Sequence, residues 1–285
     1  MPRILKRMLL AMSLGALCLG AIAAGQQAPP IRFAMTPAFL HDQHALLAEW
    51  RVYMEARLKR PVEFVQRDRY RDTMDLLQQQ KVDFAWICDY PYVMLKKEVR
   101  LMAVAVNEGK PTYRSYLIVP ASDTRTRGIL DLKGGAFAYA DPHSNTGYLV
   151  PRHEIRRNGG DPTTFFKRTF YTWSHRKLID AVAAGLVQGG NVDSYVWDVM
   201  SQVRPEVTAK TRIVWRSPDY GFPPIVAGSR VSQGDFAQMQ RLLLDMTADP
   251  QGRALLGRLR LDGFIQGAPA LYDGVADMMR DFGEL

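Results

Sequence analysis

A chain of 285 residues, 47% of them hydrophobic, is long enough for one large α/β domain or for two lobes with their own cores. Its formal charge of +8 is dispersed, with no run of lysines and arginines interleaved with aromatics and no binding motif, which argues against a nucleic-acid reader. The two cysteines, Cys18 and Cys88, lie on either side of an expected cleavage point, so the mature chain holds one thiol and no internal disulfide.

The first 24 residues read as a secretory signal peptide. Arg3, Lys6 and Arg7 form the basic start, MLLAMSLGALCLGAIAA the apolar stretch, and Ala21-Ile22-Ala23 the cleavage site. The apolar run is short for a membrane span, and Leu17 before Cys18 does not suit lipoprotein processing. Loss of three basic residues and no acids takes the formal charge from +8 to +5, a modest field that helps to capture a small anion.

After the leader, IRFAMT predicts a strand. Leu46, Trp50, Met54 and Leu58 recur every four residues and predict an amphipathic helix that ends before Pro61. VEFVQ, YRDTMDLLQQQ and DFAWIC continue a βαβαβ alternation, the signature of a parallel sheet. DYPYVMLKKEV is a short helix and LMAVAVN a strand. A second α/β unit follows with GAFAYA, a helix over 145–158, a strand near Arg168–Tyr171 and the helix SHRKLIDAVAAG. Two extended segments, near 113–120 and 212–217, bracket this unit. The economical arrangement has lobe 1 from 31–112 plus 218–285 and lobe 2 from 113–217. Two strands cross between them, and the carboxyl ends of both sheets face a shared cleft.

The loop DPHSNTGYLVPR, residues 141–152, sits between a strand and a helix. Ser144, Asn145 and Thr146 are cap residues and Gly147 permits close approach of the backbone, a combination suited to holding an anion. Taken alone, Ser-Asn-Thr-Gly reads as an ordinary helix start. Asp89 reads as a cap of the helix after DFAWIC, Tyr113 and Tyr116 as buried residues of a crossing strand, and Cys88 as a buried inert thiol. No GxSxG, HExxH or zinc spacing is present, and His41, His44, His143, His153 and His175 make no metal cluster. No cofactor is implied.

Together the segments VDFAWICDYPYV (82–93), YRSYLIV (113–119), DLKGGAFAYADPHSNTGYLVPR (131–152), SHRKLIDAVAAG (174–185), VDSYVWD (192–198) and VWRSPDYGFPPIVA (214–227) resemble a known family. It is that of the periplasmic phosphate, phosphite and phosphonate binding proteins of ABC transporters. The resemblance implies a two-lobed type II periplasmic-binding-protein fold, each lobe a mixed, mostly parallel sheet flanked by helices. It further implies capture of a small tetrahedral oxyanion by Ser144, Asn145, Thr146 and the Gly147 amide, with His175 at the start of the next helix. Tyr92, or Tyr90 beside it, would close over the anion from lobe 1, and Asp193 would face the ammonium of an aminophosphonate. The partner would be an ABC permease and the mature protein a soluble periplasmic monomer. Some proteins similar to this family are periplasmic sensors, including arsenite sensors that signal to a histidine kinase, which gives Cys88 a second reading as a ligand contact. An enzyme on the same fold is the remaining alternative.

Overall fold

The computed structural model describes residues 29–37 and 44–285. The leader expected over 1–24, with Cys18, and His41 lie outside these residues. The first lobe opens as the alternation requires. Strand β1 (Ile31–Met35), helix α1 (His44–Leu58), strand β2 (Val62–Gln66), helix α2 (Tyr70–Gln78) and strand β3 (Phe84–Trp86) follow in turn, and β1 lies between β2 and β3 with both ladders parallel. Helix α1 buries Leu46, Trp50, Met54 and Leu58, the stripe read from the sequence. Helix α3 (Asp89–Leu95) and strand β4 (Val99–Val106) complete the outward path.

The chain then crosses through β5 (Thr112–Tyr113) into a second sheet. This contains β6 (Ser115–Pro120), β7 (Ala136–Tyr139), β8 (Arg168–Tyr171), β9 (Gly189–Asp193) and β10 (Thr211–Arg216), with helices α4 (Val150–Arg157), α5 (His175–Ala183), α6 (Ser194–Val203) and α7 (Pro205–Thr208). It returns through β11 (Tyr220–Gly221), which pairs antiparallel with β5 as a two-stranded ladder of its own. The crossing is therefore narrower than the expected segments: most of 113–120 and 212–217 belongs to the edge of the second sheet, where β6 and β10 pair. Strands β12 (Pro224–Gly228) and β13 (Gly263–Gln266), with helices α8 (Gln233–Leu244), α9 (Pro250–Leu259) and α10 (Asp273–Asp281), finish the first lobe.

The six-stranded order is β13-β4-β12-β3-β1-β2 and the five-stranded order β10-β6-β9-β7-β8. Each sheet is parallel where strands alternate with helices and antiparallel where crossing strands join it, as β12 does between β3 and β4. The antiparallel share is larger than β–α alternation alone suggests, because a discontinuous lobe must accept strands that run back from its partner.

The core of the first lobe is aromatic. Trp50, Phe33, Phe64, Phe84, Trp86 and Phe264 pack ring against ring, with centroids 5.6–6.4 Å apart. Trp86 also donates from Nε1 to the carbonyl of Pro223 at 2.9 Å, which ties the outgoing strand to the returning crossing segment. The lobes meet at several points. The Tyr70 amide donates to Asp141 Oδ2 at 3.2 Å, and the Tyr195 hydroxyl donates to the carbonyl of Leu259. Arg69 lies over the ring of Trp173 at 4.9 Å. Trp86→Phe keeps the ring contacts but strips a buried carbonyl of its donor. Urea denaturation should show a loss of about 1–3 kcal/mol, and an unchanged stability would mean that the bond contributes nothing.

Candidate functional site

Strand β3 ends at Trp86, and after Ile87 the chain turns into α3 with Cys88 as the N-cap residue. Asp89 is the first helical residue, not the cap. Its Oδ1 accepts from the Tyr90 amide at 3.0 Å, from the Cys88 thiol at 3.0 Å and from the Tyr113 hydroxyl at 2.7 Å. Its Oδ2 accepts from Asn145 Nδ2, in the opposite lobe, at 2.7 Å. The carboxyl is fully buried, and burial pushes its pKa up to about 6 against the pull of these four donors, so it is ionised at neutral pH. No partner is cationic: a thiol, a phenol, an amide and a main-chain N–H surround the charge.

Asn145 begins a turn wider than an α-helix. Leu149 donates to the Ser144 carbonyl and Val150 to that of Asn145, both five residues back. The cause is local. The Thr146 carbonyl is taken by the Ser115 hydroxyl at 2.7 Å and the Gly147 carbonyl by the Ala140 amide at 3.1 Å. Pro151 has no N–H to compete for the Gly147 carbonyl. Asn191 Nδ2 in turn donates to Ser115 Oγ at 2.8 Å, so the second sheet holds the loop through two side chains.

The wide turn leaves polar atoms with nothing to meet. Thr146 Oγ1 and Asn145 Oδ1 are buried and have no partner, and the same holds for Thr36 Oγ1. Thr36 follows β1 with its amide on the Trp86 carbonyl, so it lies beside the segment that leads to Asp89. Buried polar groups are satisfied as a rule, so atoms left without partners after β1 and after β7, at the carboxyl ends of strands in two sheets, point to a ligand.

Ser144 and His175 act as a pair. The Asp193 amide donates to His175 Nδ1 at 3.2 Å, which makes that nitrogen the acceptor and puts the ring proton on Nε2, 3.3 Å from Ser144 Oγ. Burial pushes the imidazole pKa down to about 3, so the ring is neutral. Ser144 Oγ also accepts from the Gly147 amide at 3.0 Å. With both acceptor sites used, the serine has its own O–H left to give. His175 therefore orients Ser144 and does not itself present a free nitrogen. The Gly147 amide, expected as a ligand donor, is likewise used internally, and what this residue supplies is room. A Cβ there would stand 2.4 Å from that of Ala140 and 3.0 Å from His175 Cε1.

The other expected contacts are engaged within the protein. Tyr92 packs on Tyr272 at 4.6 Å, within its own lobe, and Tyr90 donates to Glu284 Oε2 at 2.5 Å. Asp193 caps α6 by accepting from the Val196 amide at 3.2 Å, and burial raises its pKa to about 8. It is largely protonated at neutral pH and offers little charge to an ammonium. Cys88 is a thiol, not a thiolate, because burial and the adjacent Asp89 raise its pKa. Three participants, Asp89 as a bridge, Tyr113 as its donor and Thr36 as an orphan hydroxyl, were not expected. Position after a strand end could have suggested Asp89 and Thr36; nothing in the crossing strand singles out Tyr113.

Residues 33–272 match the family model described as the periplasmic substrate-binding protein of phosphonate ABC transporters. The chain belongs to this family. Among curated relatives in the phosphonate-binding family is the phosphonates-binding periplasmic protein of Escherichia coli K12, 26% identical over 229 residues, or 76% of this chain and 67% of that protein. Two solved structures share the fold. A binding-protein component of a Pseudomonas aeruginosa phosphonate transporter superposes with a TM-score of 0.81 at 22% identity, covering 88% of this chain and 85% of the other. PhnD1 of Prochlorococcus marinus, in complex with methylphosphonate, gives 0.79 at 16% identity, covering 90% and 98%. The family is one of transport substrate-binding proteins.

The protonated state of Asp193 has a thermodynamic consequence. The folded chain keeps a proton that the unfolded chain has released, so this residue costs stability as pH rises from about 4 towards 8. Asn at this position still caps the helix and carries no charge. The Tm of Asp193→Asn should match that of the parent near pH 4 and exceed it increasingly towards pH 8, by about 2–4 °C for each kcal/mol regained. A difference that does not change with pH would contradict the assignment.

Proposed function

We propose that the protein is a periplasmic clamp that captures a small phosphorus oxyanion, of the phosphonate, phosphite or phosphate class, for an ABC permease. The observation that supports this best is the set of neutral donors at the meeting of the lobes: the free Ser144 O–H and the orphan hydroxyls of Thr146 and Thr36. Each hydrogen bond to a charged oxygen contributes about 1.5–3 kcal/mol. Several directional donors hold a tetrahedral anion as a single lysine would not. The named relatives, one of them in complex with methylphosphonate, agree with that ligand class.

In this reading residues 31–112 with 218–285 form one jaw and 113–217 the other, and the β5/β11 ladder is the joint about which they close. The leader at 1–24 directs export and is then removed, the mature chain works as a monomer, and no bond is made or broken in the ligand. Cys88 gives arsenite sensing no support. Among the described residues it is the one thiol, buried and engaged with Asp89, where arsenite capture calls for accessible sulfur.

Thermal shift of the mature protein with methylphosphonate, phosphite and phosphate tests the ligand class. An oxyanion at 100 times its Kd stabilises the folded state by about 2.7 kcal/mol. Thr146→Val, which keeps shape and removes the hydroxyl, should weaken that ligand about 10-fold or more in a calorimetric titration while the unliganded Tm stays within a few degrees. Undiminished affinity would remove Thr146 from the site.

A further inference from the structure

Helix α10 is fixed to the first lobe by burial: Val275, Ala276, Met278 and Met279 face inward. Tyr272, just before the helix, packs on Tyr92 of α3 and donates its hydroxyl to the carbonyl of Phe222 at 3.0 Å. Tyr220, on the β11 strand of the joint, donates to Met278 Sδ at 3.5 Å. The residues that follow α10 then reach α4 of the second lobe.

Glu284 is held from both sides. Its Oε2 accepts from the Tyr90 hydroxyl of α3 at 2.5 Å, and its Oε1 accepts from Arg152 of α4 at 3.4 Å. The Arg152 guanidinium also lies over two rings, 4.2 Å from the centre of Phe282 and 4.6 Å from that of Tyr148 in the wide turn. Arg156, one turn further along α4, lies over Phe282 at 5.0 Å, and His153 Nδ1 is 3.3 Å from Asp281 Oδ2. Asp281, Phe282 and Glu284 thus engage three neighbouring residues on one side of α4, the helix that continues the wide turn.

The two attachments differ in kind, which decides where the segment lets go. On the first lobe the contacts are apolar and closed to water, with Val275 and Met279 fully buried. On α4 they are ion pairs and cation–π contacts, and the Arg152 and Glu284 side chains remain 17% and 28% exposed. Contacts of the second kind are individually weak and can be replaced by water.

We propose that α10 and residues 282–284 form a strap, rooted in the first lobe, that fastens α4 and must release it before the lobes part. This rests on the two-jaw reading given above and is independent of which anion binds. Phe282 and Glu284 act on the opening equilibrium through Arg152, while the buried face of α10 stays in place.

Hydrogen exchange followed by NMR on the unliganded mature protein tests the strap. The Tyr70 amide donates across the lobes to Asp141, so it exchanges when they separate, whereas the amides of Phe33 and Ala34 in β1 are enclosed within one sheet and require unfolding of that lobe. In the parent protein Tyr70 should exchange faster than these β1 amides. In Phe282→Ala/Glu284→Ala, and separately in Arg152→Met on the receiving helix, Tyr70 exchange should accelerate at least about 10-fold with the β1 amides unchanged, the effect of losing a cation–π contact and a partly buried ion pair. Unchanged Tyr70 exchange in both variants, or an equal acceleration of Tyr70 and β1, would overturn the strap while leaving the two jaws in place. Tyr70 and β1 exchanging at the same rate in the parent protein would overturn the two-jaw reading and the strap with it.

Discussion

One hydrogen bond organises the site: the carboxylate of Asp89 on the first lobe accepts from the amide of Asn145 on the second at 2.7 Å. A buried charge is tolerated only where donors surround it. Here they come from three directions: the start of α3, the crossing strand β5 and the loop of the opposite lobe. The bond therefore reports the relation of the lobes and, through Tyr113, the state of the joint between them.

The loop that supplies Asn145 is shaped by competition for its carbonyls. Ser115 and Ala140 take two that an α-helix would use, Pro151 cannot reclaim one of them, and the turn opens to five-residue spacing. His175 serves the same loop from behind. Its neutral ring, set by the Asp193 amide, fixes Ser144 so that a hydroxyl proton is left over. The proposed anion site has no lysine or arginine among its bonded groups and depends on this kind of preorganisation, because each neutral donor has to be aimed.

Much of this was legible in the sequence, and the line between legible and hidden is physical. Periodicity marked α1, alternation marked the parallel β2-β1-β3 core, and cap residues after GAFAYA marked the loop, since each is a local consequence of side-chain direction or backbone preference. The role of Asp89 was hidden. An acid between a strand and a helix has the same local signature whether it caps the helix or bridges to a residue 56 positions later. Tyr92 looked free to close the cleft because its neighbour, Tyr272, arrives from the far end of the chain. His175, at the start of α5, looked like a ligand contact because the backbone amide that fixes its tautomer comes from the end of β9, 18 residues later. The wide turn could not be read either: it needs Ser115 on β6, a strand two places from β7 in the loop's own sheet.

The account turns on where the oxyanion sits. A crystal structure of the mature protein grown with methylphosphonate answers this directly. It should place the phosphonate oxygens within hydrogen-bond distance of the Ser144 and Thr146 hydroxyls. A phosphonate seated elsewhere, with Thr146 Oγ1 and Asn145 Oδ1 still without partners, would contradict it.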